Sequence, residues 1–102
     1  MASKVIYSAD VSFMIAYQCR DALGMTYYNA IRTHAEKALQ QIGSSSEMAT
    51  QRLSKLENLY ASDKELGQPE DIEGCFWNIA TVNHDLQTAQ KNYIDFAYPK
   101  NP

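Results

Sequence analysis

The residues with most chemical potential are two cysteines and two histidines: Cys19, Cys75, His34 and His84. Two thiolates and two imidazoles are a donor set that zinc accepts. Their separations of 15, 41 and 9 residues along the chain match no zinc-finger spacing, so no metal site is predicted. A carboxylate-bridged metal pair in a helical bundle needs Glu-x-x-His on facing helices. Here Ile31 stands three before His34 and Thr81 three before His84. A Cys–His nucleophile pair needs a thiol in an electropositive, partly exposed setting, and both thiols fall on apolar faces. The four glycines, Gly24, Gly43, Gly67 and Gly74, are isolated and build no phosphate-cradling loop. The expectation is therefore no catalytic, cofactor-binding or metal-binding residue, and no enzymatic role. Cys19 and Cys75 read as small buried hydrophobes, not as a disulfide framework. His34 and His84 read as polar-face residues, with Asp85 beside the second.

Adhesion is the chemistry left, and its candidate residue is Trp77. An apolar stripe on residues 72–97 comprises Ile72, Cys75, Ile79, Val82, Leu86, Ala89, Tyr93 and Phe96, spaced alternately by three and four. That spacing keeps all eight on one seam of an α-helix, the kind that packs lengthwise on other helices. If the seam faces inward, Trp77 lies almost opposite, on an outer line with His84 and Lys91, and Phe76 flanks the seam. Tryptophan and tyrosine dominate the energetics of interfaces. Trp77 then has two fates: contact with another chain, or cover by the N-terminal Val5, Ile6 and Tyr7. Tyr27 and Tyr28 are adjacent, so one points in and one out; Tyr27 and Tyr98 join Phe76 and Trp77 as candidate partner-interface residues.

Three helices are expected to position these groups. Residues 1–9 read as an extended lead-in, and Ser8 or Asp10 can cap the first helix. That helix spans about 10–42, its stripe running Ile15, Cys19, Ala22, Met25, Tyr28, Ile31, Ala35, Ala38 and Ile42. Gly24 in its middle costs about 1 kcal/mol against alanine, so there the helix bends, meets another backbone or breaks in two. Gly43 supplies a left-handed terminator. Ser44 with Glu47 forms a capping box for a second helix over about 45–66, whose inner face carries Ala49, Leu53, Leu56 and Tyr60. Gln68-Pro69-Glu70-Asp71 opens the third, at about 69–97, with proline in the first turn and acids at the positive end of the dipole. At 1.5 Å per residue the three are roughly 48, 30 and 40 Å long. A compact chain of this length has a radius of gyration of only about 13 Å. The sequence thus predicts an all-α, elongated three-helix bundle or helical hairpin, one domain over 1–102, with some seam left bare.

Composition narrows the role. The chain has 102 residues, 45% hydrophobic and 21% charged, ordinary values for a globular domain. Seven tyrosines against three phenylalanines and one tryptophan suit shallow cores and interfaces. Net charge is −3 with nine dispersed basic residues, which argues against nucleic acid as a partner. Six carboxylates, Glu57, Asp63, Glu65, Glu70, Asp71 and Glu73, gather around a single Lys64 and read as a solvated loop and helix start, or as a patch for a basic partner. No signal peptide or membrane-spanning run is visible, which points to the cytoplasm, with leaderless export as the other route.

The expected function is protein–protein interaction or assembly: a helical rod that self-associates, or docks on a larger protein, through its aromatic outer face. Subunits of secreted helical filaments, or their chaperones, fit that size and shape. The alternative is a stoichiometric acidic inhibitor, of immunity, antitoxin or phage counter-defence type, that blocks a basic site.

Overall fold

The computed structural model describes residues 2–63 and 71–98, and among these it is all-α. Five helices succeed one another: α1 (Ala2–Gln18), α2 (Arg20–Leu23), α3 (Met25–Gln41), α4 (Ser46–Ser62) and α5 (Ile72–Ala97).

The predicted first helix is two helices folded back on each other. The chain leaves helical geometry at Cys19, makes the single turn of α2, and breaks at Gly24, whose φ of 91° is left-handed and strained for any residue with a side chain. Arg20 fastens the corner, its Nη1 donating to Tyr17 O at 2.7 Å while the guanidinium lies 3.8 Å from the Tyr17 ring centre. This reversal shortens the rod: the body measures 49 × 28 × 22 Å with a radius of gyration of 14.2 Å.

The extended lead-in is also corrected, because the helix begins at Ala2. Val5 and Ala9 are fully buried and continue into Phe13, Ala16 and Tyr17 as the inward face of α1. Consecutive Val5, Ile6 and Tyr7 suit a strand by local preference. Packing overrides it, since burying a valine or phenylalanine yields about 1.5–3 kcal/mol, well above the propensity penalty.

Pairings across the interfaces give the helix directions. Asp10 meets Arg52, and Phe13 and Tyr17 meet Tyr60, so α4 runs parallel to α1. Tyr28 and Arg32 meet Glu57 while Glu36 meets Thr50, so α3 and α4 are antiparallel. Tyr27 meets Phe76 and Gln41 meets Gln90, a constant offset of 49 residues, so α5 runs parallel to α3. Helix α1 packs on α3, α4 and α5 and forms the centre. At its core the rings of Phe13, Tyr17, Tyr28 and Tyr60 form a closed circuit, with neighbouring centroids 5.5–6.5 Å apart.

Helix ends obey the chemistry of free backbone groups. Gly43, at φ 110°, ends α3: its own N–H reaches Gln40 O and that of Ser44 reaches Leu39 O, the paired closure expected of a glycine there. The cap of α4 is Ser45, one residue later than predicted, with its Oγ accepting from Met48 N at 3.1 Å. Asp71 caps α5 by accepting from Gly74 N at 2.6 Å, so this helix opens at Ile72. The predicted end of the second helix near residue 66 and the predicted start of the third at Pro69 lie outside the described residues.

Candidate functional site

The seam of α5 faces α1 through its middle. Cys75, Ile79, Val82, Leu86 and Ala89 are buried and Tyr93 is partly buried, but Ile72 and Phe96, the two ends of the seam, stand 58% and 69% exposed. Met25, expected on an inner stripe, is 54% exposed because the break at Gly24 ends the continuity that the stripe assumed.

The start of α5 carries the aromatic face. Trp77 is 71% exposed, so the N-terminal segment does not cover it. Phe76 is half exposed and stands edge-on to Tyr27 of α3, with ring centroids 6.3 Å apart and planes at 88°. Tyr28 turns inward and Tyr27 outward, as two adjacent helical residues must. Ile72 lies one turn before Phe76 on the same helix. Tyr98, the fourth predicted interface residue, is exposed at the far end of α5 beside Ile94 and Phe96, away from the other three. Sequence reasoning missed Ile72, Met25 and Ile94 as exposed groups; the signal available for Ile72 was its place at the first turn of a helix longer than its neighbours.

A covalent bond holds this face in place. Cys19 and Cys75 are joined as a disulfide, with Cα atoms 5.7 Å apart. Burial of both was expected and is observed, but their reading as separate thiols is corrected. The fold brings the α1–α2 corner against the first turn of α5, and no spacing rule in the sequence encodes that meeting. The sulfurs are consumed by each other, and His34 and His84 are exposed on α3 and α5. Among the described residues, no group of three His, Cys, Asp or Glu side chains is placed to hold a metal ion.

The acidic residues are divided in their use. Glu57 accepts from Tyr28 Oη and, at 3.0 Å, from Arg32 Nη1. Arg32 also reaches Ser54 Oγ at 2.9 Å, which ties α3 to α4, and Glu36 of its own helix at 3.3 Å. Asp71 is the α5 cap, Glu73 lies exposed in the first turn, and Asp63 is the C-cap of α4. Glu65 and Glu70 lie outside the described residues. Burial, then the hydrogen bond and charge of Glu57, raise the Tyr28 phenol well above its ordinary range, against the opposing effect of Arg32. Tyr60 is raised too, first by burial and then by Asp10. These groups hold helices together, whereas Tyr27 and Phe76 meet ring to ring at the surface.

No helix among the described residues is long and apolar enough to cross a membrane. Comparison with protein-family models, with curated proteins and with solved structures finds no match to this chain.

Proposed function

We propose that this protein is a non-enzymatic docking module that works through the aromatic face at the start of α5. One observation carries the reading: a 71%-exposed tryptophan beside half-exposed Phe76 and Tyr27, on a helix end fixed to the body by a buried disulfide. Large aromatics left in water are a standing cost unless a partner covers them, and a rigid mount lowers the entropy lost on binding. The rim is acidic, with Asp71 and Glu73 beside the aromatics. The disulfide supports an oxidising setting, outside the reducing cytosol, and so favours the exported over the cytoplasmic expectation.

Photocrosslinking in cells that make the protein tests this. Benzoylphenylalanine in place of Phe76 is expected to give a discrete adduct that disappears when Trp77→Ala is added. The same group in place of exposed Asn58 on α4 is expected to give none. Equal labelling from both positions, or no adduct from position 76, overturns the proposal.

A further inference from the structure

Helix α5 carries a second seam on its outer side. Trp77, Ala80, His84, Gln87, Lys91 and Ile94 are spaced alternately by three and four, and all six are exposed. Such spacing gives a stripe able to pack lengthwise on one further helix. The pattern is apolar at both ends, Trp77 and Ile94, and polar in the middle. Its positions are symmetric about the point between Asp85 and Leu86, which sets Trp77 opposite Ile94, Ala80 opposite Lys91 and His84 opposite Gln87 when two such stripes lie antiparallel.

We infer that the occupant of this seam is the α5 seam of a second copy, lying antiparallel across a two-fold axis near Asp85–Leu86. This rests on the docking reading above and names its partner. In that register each Trp77 packs on the Ile94 of the other copy, Ala80 lies under the other copy's Lys91 stem, and His84 faces Gln87 with a donor and an acceptor on each side. Charge selects the direction. A parallel pair sets Lys91 against Lys91 and His84 against His84. The antiparallel pair instead brings each Lys91 within about one helical turn of the other copy's Trp77 ring, where a cation is attracted to the aromatic face. None of the six seam residues is a carboxylate, and Glu73, which faces Tyr98 of the other copy in this register, stands at the exposed end of the seam.

Area sets the strength. Trp77, Phe76, Ile94 and Tyr98 are 71%, 51%, 41% and 72% exposed. Side chains of this size offer roughly 100–150 Å² each at such exposure, so a pair covering all four on both copies buries about 1,000 Å² in all. That is the lower end of specific interfaces and implies a weak, reversible dimer. An isologous contact of this kind closes on itself, so assembly stops at two unless another surface takes part.

Sedimentation equilibrium of the oxidised full chain, from about 10 µM to about 1 mM, is expected to pass from monomer to dimer with a dissociation constant of order 100 µM. Trp77→Ala is expected to weaken it at least tenfold with an unchanged circular dichroism spectrum. For direction, an equimolar mixture of Ala80→Cys and Lys91→Cys proteins is oxidised at high concentration. The mixed 80–91 disulfide should exceed the two like pairs taken together, which is all that random pairing gives. A mixed link no more abundant than the 80–80 and 91–91 links combined, a dimer indifferent to Trp77→Ala, or a monomer throughout overturns the inference. If self-association fails while the position-76 crosslinker still gives a discrete adduct with another protein, the docking reading stands and only the second copy is wrong; if both fail, both fall.

Discussion

Breaking the Cys19–Cys75 link tests both the fold and the mounting of the aromatic face. The bond spans 56 residues and joins two side chains that are 1% and 0% exposed. Closing a loop of that length removes unfolded-state entropy worth about 4 kcal/mol on the chain-entropy account. A domain of this size has a total stability of only about 5–15 kcal/mol. The Cys19→Ala/Cys75→Ala double variant is therefore expected to lose about a quarter or more of its margin, a fall in melting temperature of about 20 °C. Urea denaturation followed by circular dichroism, comparing that variant and dithiothreitol-treated protein with the oxidised form, reads the change.

The loss has a local component as well. Before Ile79, Cys75 is the only buried side chain in α5, with Ile72, Phe76 and Trp77 all turned to solvent. Without the bond, the first turns of α5 lose their covalent tie to the α1–α2 corner, while the Asp71 cap and the Tyr27–Phe76 contact remain. Amides near the start of α5 are then expected to exchange faster than those around Leu86, and the emission of the single tryptophan to change below the global transition. Identical denaturation midpoints with and without reductant refute the stability argument. A large drop in stability with uniform exchange along α5 refutes the anchoring argument alone. Two free thiols titrated in denatured, never-reduced protein refute both.

Ile79 is 7% exposed at the middle of the inner seam, so Ile79→Asp buries a charge with no partner and is expected to cost several kcal/mol. Retained helicity and an unchanged melt in that variant show the seam to face elsewhere. Tyr28 and Tyr60 both hold their protons more tightly in the folded state than the ordinary value of 10.0. The unfolded chain ionises first as pH rises, so the stability they contribute is whole below about pH 10 and is lost above it as the folded values are approached. Melting temperatures measured from pH 8 to 11 should fall more steeply for the native protein than for Tyr28→Phe/Tyr60→Phe; parallel curves contradict the assignment.

How far the sequence reaches depends on the range of the physics. The α5 seam is legible because a repeat of three and four is a property of one helix, and five of its eight members are buried in the structure. The end of α3 is legible because Gly43 alone among its neighbours adopts φ of 110° without strain. The reversal at residues 19–24 is not legible in the same way. The apolar spacing runs on through it, and only Gly24 hints that the backbone leaves helical space. The disulfide is harder still, since it depends on that reversal bringing the α1–α2 corner to the first turn of α5. The network of Arg32, Glu57 and Tyr28 joins positions 25 and 29 residues apart and likewise has no local sign.

Unequal helix lengths connect what was legible with the site. Helix α5 has 26 residues and α1 has 17, so at 1.5 Å per residue α5 is longer by roughly 13 Å. A helix that outruns its neighbour leaves the ends of its seam uncovered, and those ends are Ile72 and Phe96. An overhang without an anchor would fray, because short stretches of isolated helix are marginal in water. The disulfide meets that need at the end bearing Phe76 and Trp77, while the other end, with Ile94, Phe96 and Tyr98, has Tyr93 as its nearest partly buried side chain. The asymmetry singles out the start of α5 as the preorganised surface: its aromatics are held at a fixed angle to the body before any partner arrives, which is the condition under which exposed apolar area converts most fully into affinity.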